Sequence, residues 1–211
     1  MAKALSIQNL YSKRFETLRI QGDWRAVLGE PEASGAWLIW GKDKNGKTRC
    51  ALQLANLLSD LTKVLYVSAE EGTGKAFVES CRRSNISEKN RRLLFSEYID
   101  IDDLKTRLNK RGSERIIAID NVTFYNDDLK NGVLKELLKT YPQKLFLFLA
   151  HEDRNEPYTS TAKLIKKLAK VIIYVEGLAC TVSGRVPGGV INLDEFKAKI
   201  YHGEQKTKEE S

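Results

Sequence analysis

The chain has 211 residues, 42% hydrophobic and 30% charged, which makes room for one sizeable α/β core and falls short of two. No apolar run reaches the length of a membrane span, and the N-terminus MAKALSIQNLYSKRF lacks the apolar stretch and small-residue cleavage site of a signal peptide; cytoplasmic localisation is expected. The formal charge of +7 permits attraction to nucleic acid without establishing it, while three widely spaced cysteines and two histidines argue against a disulfide framework or zinc site.

In chain order, residues 1–35 read as an N-terminal lead-in, closed by the loop GEPEASG (29–35). The first strong strand is AWLIW (36–40), and GKDKNGKT (41–48) follows it directly. KTRCALQLANLLS (47–59) then places Ala51, Leu52, Ala55 and Leu58 at helical spacing. Further apolar strands are KVLYVS (63–68), RIIAI (115–119), KLFLFLA (144–150) and VIIYV (171–175). Helix-like segments separate them at 73–84, 101–111, 127–140 and 160–169. Apolar strands alternating with helices predict a mostly parallel sheet covered on both faces. LACTVSG (178–184) and the stretch ending KAKIYH (197–202) alternate at short range, which predicts an antiparallel C-terminal edge. The expected α/β core runs over 36–203, and the charged segment 204–211 reads as a disordered tail.

GKDKNGKT is the Gly-x-x-x-x-Gly-Lys-Thr pattern of a phosphate-cradling loop, here between a strand and a helix as that loop requires. Gly41 and Gly46 let the backbone wrap so that N–H groups and the helix N-terminus face an anion. The whole stretch Gly41, Lys42, Asp43, Lys44, Asn45, Gly46, Lys47, Thr48 and Arg49 is the expected nucleotide contact. Lys47 would neutralise the β- and γ-phosphates and the Thr48 hydroxyl would hold Mg²⁺. Asp120 ends an apolar strand in RIIAID, where an acid can hold a metal's water beside the loop. Glu70 lies just past the second strand in VLYVSAEEG, placed to orient or deprotonate the water attacking a γ-phosphate; Glu71 competes for that role. His151, after FLFLA, either senses the γ-phosphate or is satisfied by its own turn.

This order of P-loop, strand-Ser-Ala-Glu-Glu, strand-Ile-Asp-Asn and strand-polar-sensor resembles the RecA-like ATPase core, with most similarity to the RadA, KaiC and DnaB-type branch. VLYVSAEEG is similar to that branch's second strand, and KLIKKLAKVIIYVEGLACTVSGR resembles its closing helix and hairpin. The resemblance covers roughly 15–202 and implies an ATP hydrolase using ATP and Mg²⁺. It implies Lys47, Glu70, Asp120 and His151 as catalytic groups, with Thr48 and Asp120 on the metal side. It also implies a homo-oligomer, ring or filament, acting on single-stranded DNA in recombination, repair or replication. The RadA branch carries Lys-Asn-Arg-Phe-Gly near its end; here Ser183-Gly184-Arg185-Val186-Pro187 keeps only Arg185 as a group that reaches a neighbouring subunit's nucleotide. A DnaB-type helicase motor and a regulatory or assembly ATPase that touches only protein are the rival readings.

The stretches matching DNA-facing loops are TFYNDDLKN (123–131), which is acidic, and EDRNEPYTSTA (152–162). Arg154 and Tyr158 in the second suit phosphate contact and base stacking. Lys163, Lys166, Lys167 and Lys170 follow at i, i+3, i+4 and i+7, which predicts that they share one helix face, opposite Leu164, Ile165 and Leu168. That face is either a DNA contact or simply solvated.

Overall fold

The computed structural model describes residues 4–209, the side chains only as far as Gly203. A nine-stranded sheet runs in the order β3-β2-β4-β5-β1-β7-β8-β9, with β6 paired to β5. Its parallel part consists of β1 (Gly35–Gly41), β2 (Val64–Ser68), β3 (Leu93–Ser96), β4 (Ile116–Asp120), β5 (Leu145–Asp153) and β7 (Val171–Glu176). The antiparallel edge consists of β8 (Ala179–Gly184) and β9 (Gly189–Asn192), and the short β6 (Glu156–Pro157) turns back on β5. Strands β1, β2 and β4 are apolar up to their last residues, where Ser68 and Asp120 stand, and buried almost throughout because helices cover both faces.

Along β1 the side chains alternate between two cores. Trp37 and Ile39 face one shared with α2 (Trp24–Leu28), α3 (Lys47–Ser59) and Phe77 of α4 (Lys75–Arg83). Ala36, Leu38 and Trp40 face the other, shared with α5 (Ile101–Leu108), α6 (Val133–Thr140) and α7 (Ser160–Leu168). The lead-in is packed for much of its length: Leu18, Ile20, Trp24, Val27 and Leu28 are buried, while the preceding α1 (Ile7–Tyr11) buries nothing.

Four sequence expectations change. KAKIYH is not strand but part of α8 (Glu195–Glu209): Asp194 accepts from Lys197 N at 3.1 Å and starts a helix there. The edge strand the alternation pointed to is β9 instead. The helix expected over 127–140 begins only at Val133, because Asn131 and Gly132 take left-handed φ values of 52° and 93° and interrupt it. The short β3 (Leu93–Ser96), flanked by charged residues, adds a strand beyond those the apolar runs predict. Finally, α7 stops at Leu168, since Ala169 is extended (φ −64°, ψ 135°), which takes Lys170 off the helix. Of the expected tail at 204–211, the side chains and the last two residues lie outside the described residues. Among the described residues no helix is long and apolar enough to cross a membrane.

Candidate nucleotide-binding site

The carboxyl ends of β1, β2, β4 and β5 converge on one cleft of about 490 Å³, where α/β sheets place their ligands. The loop is built against the next hairpin. Gly41 has φ +152°, and a Cβ there would lie 2.1 Å from Val175 O; a Cβ on Gly46 (φ +101°) would lie 2.6 Å from Leu178. Only glycine permits both approaches. Asn45 fastens the loop to the β7–β8 turn: its Oδ1 accepts from Gly177 N at 2.8 Å and its carbonyl from Leu178 N at 3.2 Å. The loop thus delivers the N-terminus of a 13-residue helix, α3, to the cleft.

Lys47, 8% exposed, donates from Nζ to Lys42 O at 2.8 Å and to Asp43 Oδ1 at 3.3 Å. Arg49 leaves the loop to pair with Asp194 at 3.2 Å, and Lys42 pairs with Glu176 at 3.8 Å. The Thr48 hydroxyl donates to Asp120 Oδ2 at 3.2 Å, and the buried Tyr66 hydroxyl donates to the same oxygen at 2.7 Å. Burial, with a smaller push from Glu70 and Glu71, raises the Asp120 carboxyl to about 6, against the lowering effect of these two bonds. Burial and the neighbouring Asp120 raise the Tyr66 hydroxyl well above its usual value, so it remains a donor.

Glu70 and His151 come together through a residue that sequence reasoning passed over. Asn121, fully buried, accepts at Oδ1 from Thr123 N at 2.7 Å, which orients its amide toward the cleft. Its Nδ2 donates to Glu70 Oε2 and lies 2.6 Å from His151 Nε2, itself 3.1 Å from Glu70 Oε2. His151 Nδ1 faces Asp43 Oδ1. A single polar chain therefore links the P-loop, β5, β4 and the end of β2. Glu71 lines the same cleft, but neither Asn121 nor His151 holds it. Ser80 and Arg83 of α4 also line it, joined by a 2.9 Å hydrogen bond. The only advance signal for Asn121 was its place beside a strand-end acid; for Tyr66 there was none, because it reads as one more apolar strand residue.

Thr48 and Asp120 offer adjacent hard oxygens, a donor set that fits Mg²⁺ completed by phosphate oxygens and water. Among the described residues no group of three or more His, Cys, Asp or Glu could hold a metal unaided.

The residues expected at DNA are dispersed. Arg154 and Asn155, with φ 49° and 64°, form the two-residue turn between β5 and β6, so the expected loop is an ordered hairpin. Tyr158 is 59% exposed at its end, and its backbone N donates to His151 O at 2.9 Å. The four-lysine face does not form. Lys166 pairs with Glu156 at 3.3 Å and lies 4.2 Å over the Trp40 ring, while Lys170, beyond the helix, reaches Glu32 and Ser34. Lys163 and Lys167 stay exposed. Arg185 lies after β8, its N donating to Lys170 O at 2.7 Å, at the end of the sheet opposite its own chain's cleft.

No protein-family model and no curated protein matches the chain. Among solved structures, flagellar accessory protein FlaH from Methanocaldococcus jannaschii superposes with a TM-score of 0.64 at 17% identity, over 86% of this chain and 96% of that one. The fold is RecA-like. In all 532 solved chains match, so this shape is widely shared and the likeness carries the fold alone.

Proposed function

We propose that this protein binds ATP with Mg²⁺ in the cleft and hydrolyses its terminal phosphate. The observation that carries the reading is that Lys47, the Thr48–Asp120 pair and a tethered Glu70 meet at one sheet edge. The loop N–H groups and Lys47 bind the phosphates, and Thr48 and Asp120 are the oxygens that would hold Mg²⁺, which neutralises phosphate charge when bound. Glu70, its Oε2 fixed by Asn121, orients a water and takes its proton as the water oxygen bonds to the γ-phosphorus and the bond to the β-phosphate oxygen breaks. Phosphate release from Mg·ATP, measured beside direct nucleotide binding, tests this. Lys47→Ala should weaken binding by about 100-fold or more without unfolding the chain. Unchanged affinity and turnover in that variant would refute the site.

A second reading adds single-stranded DNA, in recombination, repair or replication. It is favoured by the backbone bond from the exposed Tyr158 to His151, which ties the hairpin to the cleft. The contacts it retains are Arg154, Tyr158, Lys163 and Lys167. With only two lysines free, salt-sensitive retention on single-stranded DNA should be shallow. No retention in any nucleotide state would favour a regulatory or assembly ATPase. Either role is compatible with a homo-oligomer in which Arg185 reaches a neighbour's nucleotide.

A further inference from the structure

One carboxylate lies inside the phosphate loop itself. Asp43 is the third residue of GKDKNGKT, and its Oδ1 is 3.3 Å from Lys47 Nζ while also facing His151 Nδ1. A single anionic oxygen is thus held by the loop lysine and by the histidine that follows β5. In the proposed reaction Lys47 is the counter-ion of the phosphates, and His151 is placed beside it where a terminal phosphate would be sensed. The Asp43 side chain is 72% exposed and is not part of either core, so it can swing away without disturbing the fold. Against a burial that pushes it up, His151 and Lys47 hold its carboxyl below the ordinary carboxylate value, so it is anionic at neutral pH.

We infer that Asp43 determines the balance between nucleoside diphosphate and triphosphate, because its carboxylate competes with a terminal phosphate for Lys47 and His151. The inference rests on the nucleotide-site reading above. A diphosphate is held by the loop N–H groups and Lys47 and brings no third phosphate toward His151. A triphosphate places a second anion beside Asp43, and binding it must displace the carboxylate or tolerate the repulsion. His151 then exchanges Asp43 for the phosphate. Because its Nε2 sits between Asn121 and Glu70, that exchange is felt by the residue proposed to activate water. The same carboxylate that disfavours triphosphate would therefore keep the water-activating group coupled to the loop until a terminal phosphate arrives.

The test is calorimetric titration of the full chain with Mg·ADP and with Mg·ATP bearing a non-hydrolysable β,γ-imido bridge. Wild type is compared with Asp43→Asn, which keeps the shape, and Asp43→Ala, which removes the carboxylate. Removing one charge a few ångströms from the third phosphate should tighten the triphosphate analogue by about tenfold relative to ADP in both variants. Wild type that binds both nucleotides, with an unchanged ratio in the variants or a ratio shifted toward ADP, overturns the inference and leaves the nucleotide site standing. Binding of neither nucleotide by wild type overturns the site reading and this inference together.

Discussion

The cleft and the hairpin–α7 region lie next to one another at the end of β5, and both are rich in charge, yet they use it differently. In the cleft, residues far apart in sequence are forced together: Thr48 and Tyr66 both reach Asp120, and Asn121 and His151 both reach Glu70. The four parallel strands end there side by side, so their polar terminal residues have nowhere else to point. In the hairpin and α7 the charges settle separately and no common centre forms: Lys166 on Glu156 and Trp40, Lys163 and Lys167 on solvent, and Lys170, just past the helix, on Glu32. Convergence across a sheet builds a site; charge along a surface helix does not by itself.

The sharpest way to break this contrast is at Asn121. Asn121→Ala removes the tether on Glu70 and His151 without touching the loop, so turnover should fall about tenfold or more while nucleotide affinity changes little. Turnover at the wild-type rate would mean that convergence in the cleft is structural only. A smaller effect separates burial from function. Glu114 is 4% exposed and takes a bidentate grip from Arg107, at 2.6 and 3.2 Å, far from the cleft. Burial pushes its carboxyl up, but Arg107 outweighs that and holds it below the ordinary value of 4.5. A depressed folded value stabilises the fold above the unfolded one, and that stability is lost as pH falls. Glu114→Gln should therefore cost about 2 kcal/mol near neutral pH, lowering Tm by roughly 4–8 °C, and turnover should be unchanged. The gap to wild type should close as pH drops below about 4.5. The smallest effect belongs to Lys163→Gln with Lys167→Gln: stability should shift by no more than about 0.5 kcal/mol, and ATP turnover should stay as in wild type. A marked loss of ATP turnover in that pair would make the α7 lysines part of the cleft's chemistry.

Much of this was legible before the fold was known, for reasons that differ by residue. The P-loop pattern is local: its glycines, lysine and threonine must follow one another, and a strand precedes it and a helix follows it. Asp120 and Glu70 stand out in the sequence because a polar residue at or just past the end of a buried apolar strand is conspicuous. Asn121 and Tyr66 escaped because their roles exist only across strands, where register brings Ser68 beside Asp120 and Gly41 beside His151. The lysine face failed through its boundary. Spacing placed Lys170 on the helix, and one extended residue, Ala169, took it off. KAKIYH failed through its period, since six residues alternating polar and apolar also fit a helix once Asp194 caps it.

The central claim is that Glu70, held by Asn121 and His151, activates water while its neighbour Glu71 does not. Single-turnover phosphate release from Mg·ATP on Glu70→Gln and Glu71→Gln, with ATP binding measured on the same preparations, tests it most directly. Glu70→Gln should bind ATP near wild-type affinity and release phosphate about 10²–10⁴-fold more slowly, and Glu71→Gln should stay within about threefold of wild type. Wild-type release by Glu70→Gln, or the large loss appearing in Glu71→Gln instead, would contradict the account.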